Sequence, residues 1–149
     1  KYDSIKNITT APLASGTQSE ILRQGLKNAG IKTPPYPNAA HHIVAAGAEA
    51  VSESAKKSQK ILSDFGIDIN FPANGVFLPY KRNDWVTSEA MHSGGHSEAY
   101  YRTVYIELTK GIEEIEELGY KGDKAKRVIC DILQDVREKL LNGSLQIHG

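Results

Sequence analysis

Apolar residues recur along this chain at helical spacing in four stretches and gather into short strand-like runs in two others. TQSEILRQGLKNAG (17–30) predicts a first helix. Thr17 and Glu20 fit a capping box, Ile21, Leu22 and Leu26 form the apolar stripe, and Gly30 suits the C-terminal end. Residues 1–16 are polar and read as an extended or loosely ordered lead-in. Pro34, Pro35 and Pro37 then force an extended connector. HHIV (41–44) reads as a short strand. AEAVSESAKKSQKILSDFG (48–66) predicts a helix, with Ala48, Val51, Ala55, Ile61, Leu62 and Phe65 on one face and Gly66 past its end. IDINFPANGVFLPY (67–80) alternates and carries β-formers, with Asn74-Gly75 as a turn signal before VFL. Residues 79–95 read as a loop. A long helix starts near Ser97 and ends near Gly119, with Tyr101, Val104, Tyr105, Leu108, Ile112 and Ile115 at helical spacing. A last helix takes Asp123 as N-cap, faces Val128, Ile129, Ile132, Leu133, Val136 and Leu140 to the core, and ends at Gly143. The predicted order is helix, strand, helix, strand, helix, helix. That order makes residues 17–149 a single, mainly helical α+β domain.

Composition changes this picture little. The chain has 149 residues, enough for one core, and its 40% hydrophobic and 24% charged residues are ordinary for a globular protein. No apolar run is long enough to span a membrane, and the N-terminal KYDSIKNITT lacks the apolar h-region of a signal peptide. The single cysteine, Cys130, excludes an internal disulfide and a Cys-rich zinc site. Lying in VICDIL, it reads as a small buried hydrophobe. Any metal therefore falls to His, Asp, Glu or Asn. Net charge is zero, which speaks against coating nucleic acid by charge alone. The charge is uneven, however. Residues 1–47 hold five basic and two acidic groups, and residues 105–149 hold seven basic and nine acidic ones.

The histidines carry the chemistry. Four of the five fall into two clusters, His41-His42 in AAHHIVAAG and His92 with His96 in MHSGGHSEAYYR. His148, at the chain end, reads as incidental. Neighbours on a strand point to opposite faces, so His41 and His42 suit two different jobs unless the strand end is twisted or bulged. Neutral imidazole can ligate a metal or act as a general base near neutral pH. His92 and His96 have the spacing that aligns two ligands on a helix face. The intervening Ser93-Gly94-Gly95 is poor helix material, so a loop delivers His92 and a helix start delivers His96. Glycines there let backbone approach a phosphate, and a helix N-terminus favours an anion. Each histidine alone is an ordinary structural or surface residue. The combination is the signal.

Ala40-His41-His42-Ile43, Asn74-Gly75-Val76-Phe77-Leu78-Pro79 and His92-x-Gly-x-His96-x-x-x-Tyr100-Tyr101 together resemble the AHH family of toxin nucleases. LKNAGI and IL-x-x-x-GIDIN add to the resemblance, which covers roughly residues 20–110. The resemblance implies a ββα-metal (His-Me finger) core of the HNH and endonuclease-VII-like kind, here with an inserted helix and additional flanking helices. It implies a metal-dependent endonuclease with DNA favoured over RNA. The setting it implies is the C-terminal toxin domain of a secreted bacterial polymorphic toxin, delivered into a target cell, acting in its cytoplasm and neutralised by a cognate immunity protein. It carries roles to residues. His42 would be the general base. His41 would bind one divalent ion (Mg, Mn, Zn or Ni) with His92, His96 or both. Asn74, on the second strand, would tie down the loop behind the base and so orient His42. Arg102 would contact phosphate in the catalytic set, since guanidinium matches its oxygens bidentately. Lys81 and Arg82, in the loop after Pro79, would grip the backbone, and Tyr100 would touch substrate. Tyr101 begins the apolar stripe and is assigned to the core. Two features depart from a simple ββα hairpin. About thirty residues separate His42 from Asn74, and two glycines interrupt the second histidine pair.

Two other functions compete. A non-catalytic module with four histidines on a structural zinc would make His42 a ligand. An interaction domain built from the last two helices would use the acidic run EEIEE (113–117).

Overall fold

The computed structural model describes residues 17–48, 52–80, 90 and 96–147. Among these residues the chain forms four helices and one two-stranded antiparallel sheet, in the predicted order. They are α1 (Gln18–Asn28), β1 (Asn38–His42), α2 (Glu53–Asp64), β2 (Gly75–Pro79), α3 (Glu98–Leu118) and α4 (Gly122–Leu141), with a 3₁₀ turn over Pro72–Asn74 just before β2. The fold is a small α+β one. The expected lead-in 1–16, the loop residues Lys81 and Arg82, and His92 lie outside the described residues.

Helix α1 starts where its capping box says it should. Thr17 Oγ1 accepts from the Glu20 backbone N–H at 3.2 Å and donates to its carboxylate at 3.0 Å. Ser52 caps α2 and Ser97 caps α3 in the same way, through Ala55 and Tyr100 N–H groups. Helix α3 ends at Gly119, whose φ of 70° continues the chain without the steric cost another residue would meet.

Four boundaries differ from expectation. The first strand is not HHIV but Asn38–His42: the Ile43 N–H still donates in register to the Asn74 carbonyl (2.8 Å), but the Asn74 N–H turns back to the Phe71 carbonyl (2.9 Å) and the Ile43 carbonyl accepts from Tyr100 Oη, so the ladder is not completed there. Residues 67–71 are irregular rather than strand, and Asn74 closes the 3₁₀ turn instead of lying on β2. Helix α2 begins at Glu53, not at 48, since the Ser52 hydroxyl supplies the cap. Lys121, not Asp123, occupies the N-cap of α4. Asp123 lies in the first turn, where its charge suits the helix dipole.

An isolated two-stranded sheet is marginal in water, and here both faces are covered. The register pairs His41 with Val76 and His42 with Gly75. Alternation sends Ala40 and Phe77 to α1, where they pack with Leu22 and Leu26. Val76 and Leu78 face the larger core, with Tyr100, Val104 and Leu108 of α3 and Ile129, Leu133 and Leu140 of α4. All five residues of β2 are buried. No helix among the described residues is long and apolar enough to cross a membrane.

Gly75 is fixed by this packing. A Cβ there would sit 2.7 Å from Leu22 Cδ1 and 3.1 Å from Leu26 Cδ2, and both leucines are 0% exposed. Gly75→Ala is expected to destabilise the protein by about 1–3 kcal/mol through overpacking. Urea unfolding measures it, and an unchanged midpoint would contradict the packing described. Cys130 is buried, as read from the sequence, and burial pushes its thiol up to about 11. At pH 8 the folded protein should react with a thiol reagent far more slowly than the denatured chain. Equal rates would show the residue to be accessible.

Candidate active site

The alternation of β1 assigns each histidine its own surroundings. His41 turns to the α3 side and is 0% exposed. Its Nε2 lies 2.7 Å from Tyr100 Oη, and Tyr100 Oη lies 2.7 Å from the Ile43 carbonyl. The phenol has one proton and the carbonyl can only accept it, so Tyr100 accepts from His41 Nε2–H. The lone pair of neutral His41 is therefore on Nδ1. His42 turns to the α1 side and is partly exposed. Its Nε2 lies 2.7 Å from Asn70 Oδ1. Burial lowers the His42 pKa, and the Asn70 hydrogen bond opposes the shift without reversing it. The imidazole is neutral at pH 7, the form that can take a proton.

His96 reaches the same place from the start of α3. That start is anchored by the far end of the chain, where Ser97 N–H donates to the Ile147 carbonyl at 2.8 Å. The rings of His41 and His96 stand edge to face with centroids 5.3 Å apart. Tyr101 Oη lies 3.3 Å from His96 Nδ1. His41, His42, His96, Tyr101, Ser19 and Gly47 line one cavity of about 330 Å³. A larger cavity of about 520 Å³ lies between Leu118, Tyr120 and Arg127 at the other end of α3. It contains no histidine, so volume is a poorer guide here than chemistry.

Asn74 is 0% exposed and shapes the site through the backbone. Its Oδ1 accepts from Val44 N–H (2.8 Å), and its Nδ2 donates to the Val44 and Ile69 carbonyls (3.0 Å each). The loop that follows His42 is thereby tied to the turn that precedes β2.

The structure thus brings together His41, His42, His96 and Asn74. Tyr100, expected at the substrate, is 1% exposed and locked between His41 and Ile43, while Tyr101, expected in the core, packs against it and also lines the cavity. Adjacent residues on a helix differ by about 100° in direction, and the buried Ile43 carbonyl captures Tyr100. Arg102 is exposed on α3 and is not among the residues that line the cavity. Asn70 and its partner Gln18, 2.6 Å away, were not anticipated. The only signal for Asn70 was its place in Asp68-x-Asn70, a turn-forming pair in which Asp68 Oδ1 accepts the Asn70 N–H at 2.8 Å.

The donor set can be tested against a metal. With metal–nitrogen bonds near 2.0–2.1 Å, two imidazoles on one ion place their centroids roughly 5 Å apart. The His41–His96 spacing fits, and so does a lone pair on His41 Nδ1. Among the described residues no group of three His, Cys, Asp or Glu comes together. A four-histidine zinc site draws no support, because His42 gives its Nε2 to Asn70 on the other side of the strand.

The strand end sets one imidazole toward a second histidine and its neighbour toward an asparagine, in a small α+β fold compatible with the HNH/ENDO VII superfamily of nucleases. Residues 22–140 match the AHH family, a nuclease family of that superfamily with a conserved AHH. The chain belongs to the AHH family, and Ala40-His41-His42 is its signature. The match runs through α4, well beyond the stretch whose motifs carried the resemblance. No curated protein and no solved structure matches the chain.

Tyr100→Phe removes the hydroxyl that serves two buried groups, His41 Nε2–H and the Ile43 carbonyl. It is expected to cost about 1–3 kcal/mol of stability. Chemical denaturation tests this, and a loss below a few tenths of a kcal/mol would mean the phenol does not hold the two groups together.

Proposed function

We propose that this chain is a metal-dependent endonuclease that hydrolyses phosphodiester bonds, with DNA as the favoured polymer. The observation that carries the reading is the division of labour across β1: His42 on one wall of the cavity, neutral and held by an asparagine, and the His41–His96 pair on the other. His42 removes the proton from the attacking water. His41 and His96 would hold the divalent ion (Mg, Mn, Zn or Ni), with His92 as the further ligand of this reading. A bound divalent ion supplies positive charge that stabilises the phosphate oxygens as the bond breaks. Tyr100 keeps the His41 ring fixed, the role that outer hydrogen-bond partners play for metal-binding histidines. Asn74 sets the backbone behind His42. Arg102, exposed on α3, takes a phosphate outside the cavity, and Lys81 and Arg82 are the further backbone-gripping residues of this reading. The 149-residue chain has no net charge, so binding relies on such local contacts rather than on a long-range field.

The setting belongs to the same proposal. The motifs around the two histidine clusters resemble those of C-terminal toxin domains of secreted bacterial polymorphic toxins. The chain would then enter a target cell, act in its cytoplasm, and be neutralised in its producer by an immunity protein.

A cleavage assay on plasmid DNA and on structured RNA tests the reading, with Mg²⁺, Mn²⁺, Zn²⁺ or EDTA. Wild type should cut in the presence of a metal and stop with EDTA. His42→Ala should stay folded and lose roughly 10²–10⁴ in rate, the usual worth of general-base catalysis. Folded, metal-supplied wild type that cuts neither polymer would overturn the proposal.

A further inference from the structure

We infer that Gln18 and Asn70 are positioning residues that form a polarity relay, holding the His42 proton on Nε2 and leaving Nδ1 as the atom that receives the proton from water. The inference rests on the nuclease reading and deepens it by naming the reacting nitrogen and what selects it.

Asn70 is 5% exposed and wedged between α1 and the end of β1. Its backbone is pinned by Asp68, so the side chain is presented from a fixed point. One end of its amide, Nδ2, donates to Gln18 Oε1 at 2.6 Å, and the other, Oδ1, faces His42 Nε2 at 2.7 Å. An amide has one donor end and one acceptor end. With the donor end engaged by Gln18, His42 meets an acceptor and must bring the hydrogen itself. On a neutral imidazole the lone pair is then on Nδ1.

An asparagine amide can turn over with almost no change of shape, so packing alone cannot choose its sense. Gln18 biases it through Oε1, 2.6 Å from Asn70 Nδ2, and a side chain at 18 that can only accept or only donate would fix it. Gln18 is exposed and occupies the first position of α1, so its replacement leaves the core untouched. An acceptor at 18 keeps Oδ1 toward His42. A donor at 18 turns the amide, presents Nδ2–H to His42, and moves the imidazole proton to Nδ1. That tautomer cannot take a proton from water at Nδ1.

Charge alone makes the opposite forecast, and this separates the relay from a general field effect. Gln18→Glu adds a negative charge near a polyanionic substrate, and Gln18→Lys adds a positive one. A field effect would make Glu the poorer enzyme throughout. The relay predicts that Gln18→Glu raises KM while kcat falls only a few-fold. It predicts that Gln18→Lys lowers KM while kcat falls by about 10² or more, as general-base catalysis is lost. Adding Asn70→Asp to Gln18→Lys should restore most of kcat, because a carboxylate has no donor end to offer His42.

The experiment is steady-state cleavage by the four proteins, paired with nitrogen-15 NMR of the His42 ring without metal. Wild type and Gln18→Glu should show the proton on Nε2, Gln18→Lys should show it on Nδ1, and the double variant should return it to Nε2. The NMR result stands whether or not the protein cuts nucleic acid, so an inactive wild type with the predicted ring states would overturn the nuclease reading and leave the relay. An Nε2 proton in Gln18→Lys, or a kcat that follows charge alone, would overturn the relay.

Discussion

The amide of Asn74 holds the site in place. It is wholly buried, and all of its hydrogen-bonding ends go to main chain, two to Val44 and one to Ile69. Its own carbonyl takes the Ile43 N–H. These bonds join the end of β1 to the turn before β2 and keep the register that puts Gly75 opposite His42. Without them two five-residue strands, separated in sequence by a whole helix, would have little reason to pair. A buried amide with every end satisfied gives direction that apolar packing cannot, since unmatched alternatives leave polar groups stranded.

From that point strand alternation does the sorting. One face of β1 carries Ala40 and His42 to α1, and the other carries His41 to α3. Each histidine therefore meets a different kind of partner. His41 finds a phenol and a second imidazole and is itself wholly buried. His42 finds an amide at the edge of the cavity. Two residues identical in chemistry become unlike in role because the backbone repeats every second residue.

Much of this was legible in the sequence, where local rules act alone. Capping residues and apolar spacing located α1, α3 and most of α4, and adjacency on a strand foretold that His41 and His42 would part. The start of β1 was missed because Asn38-Ala39-Ala40 has weak strand preference and becomes strand only by pairing with the buried β2. The burial of Tyr100 was missed because it lies beside the apolar stripe that Tyr101 begins, and the buried carbonyl that captures it belongs to a residue 57 positions away. Asn70 and Gln18, 52 positions apart, escaped for the same reason. Single polar residues gain meaning only from a partner that spacing does not announce.

The way the site is divided has a consequence for any attempt to shorten the protein. One wall draws on Gln18, His42 and Asn70, and the other closes only when Tyr100 and His96 arrive, with α3 itself pinned by Ile147 near the end of the chain. The strands that carry the first wall are covered on their other face by α3 and α4, so both walls form together. No fragment cut between residues 43 and 95 contains both. The complete cavity is therefore a property of the whole stretch from Gln18 to Ile147, and no shorter piece of it carries both walls.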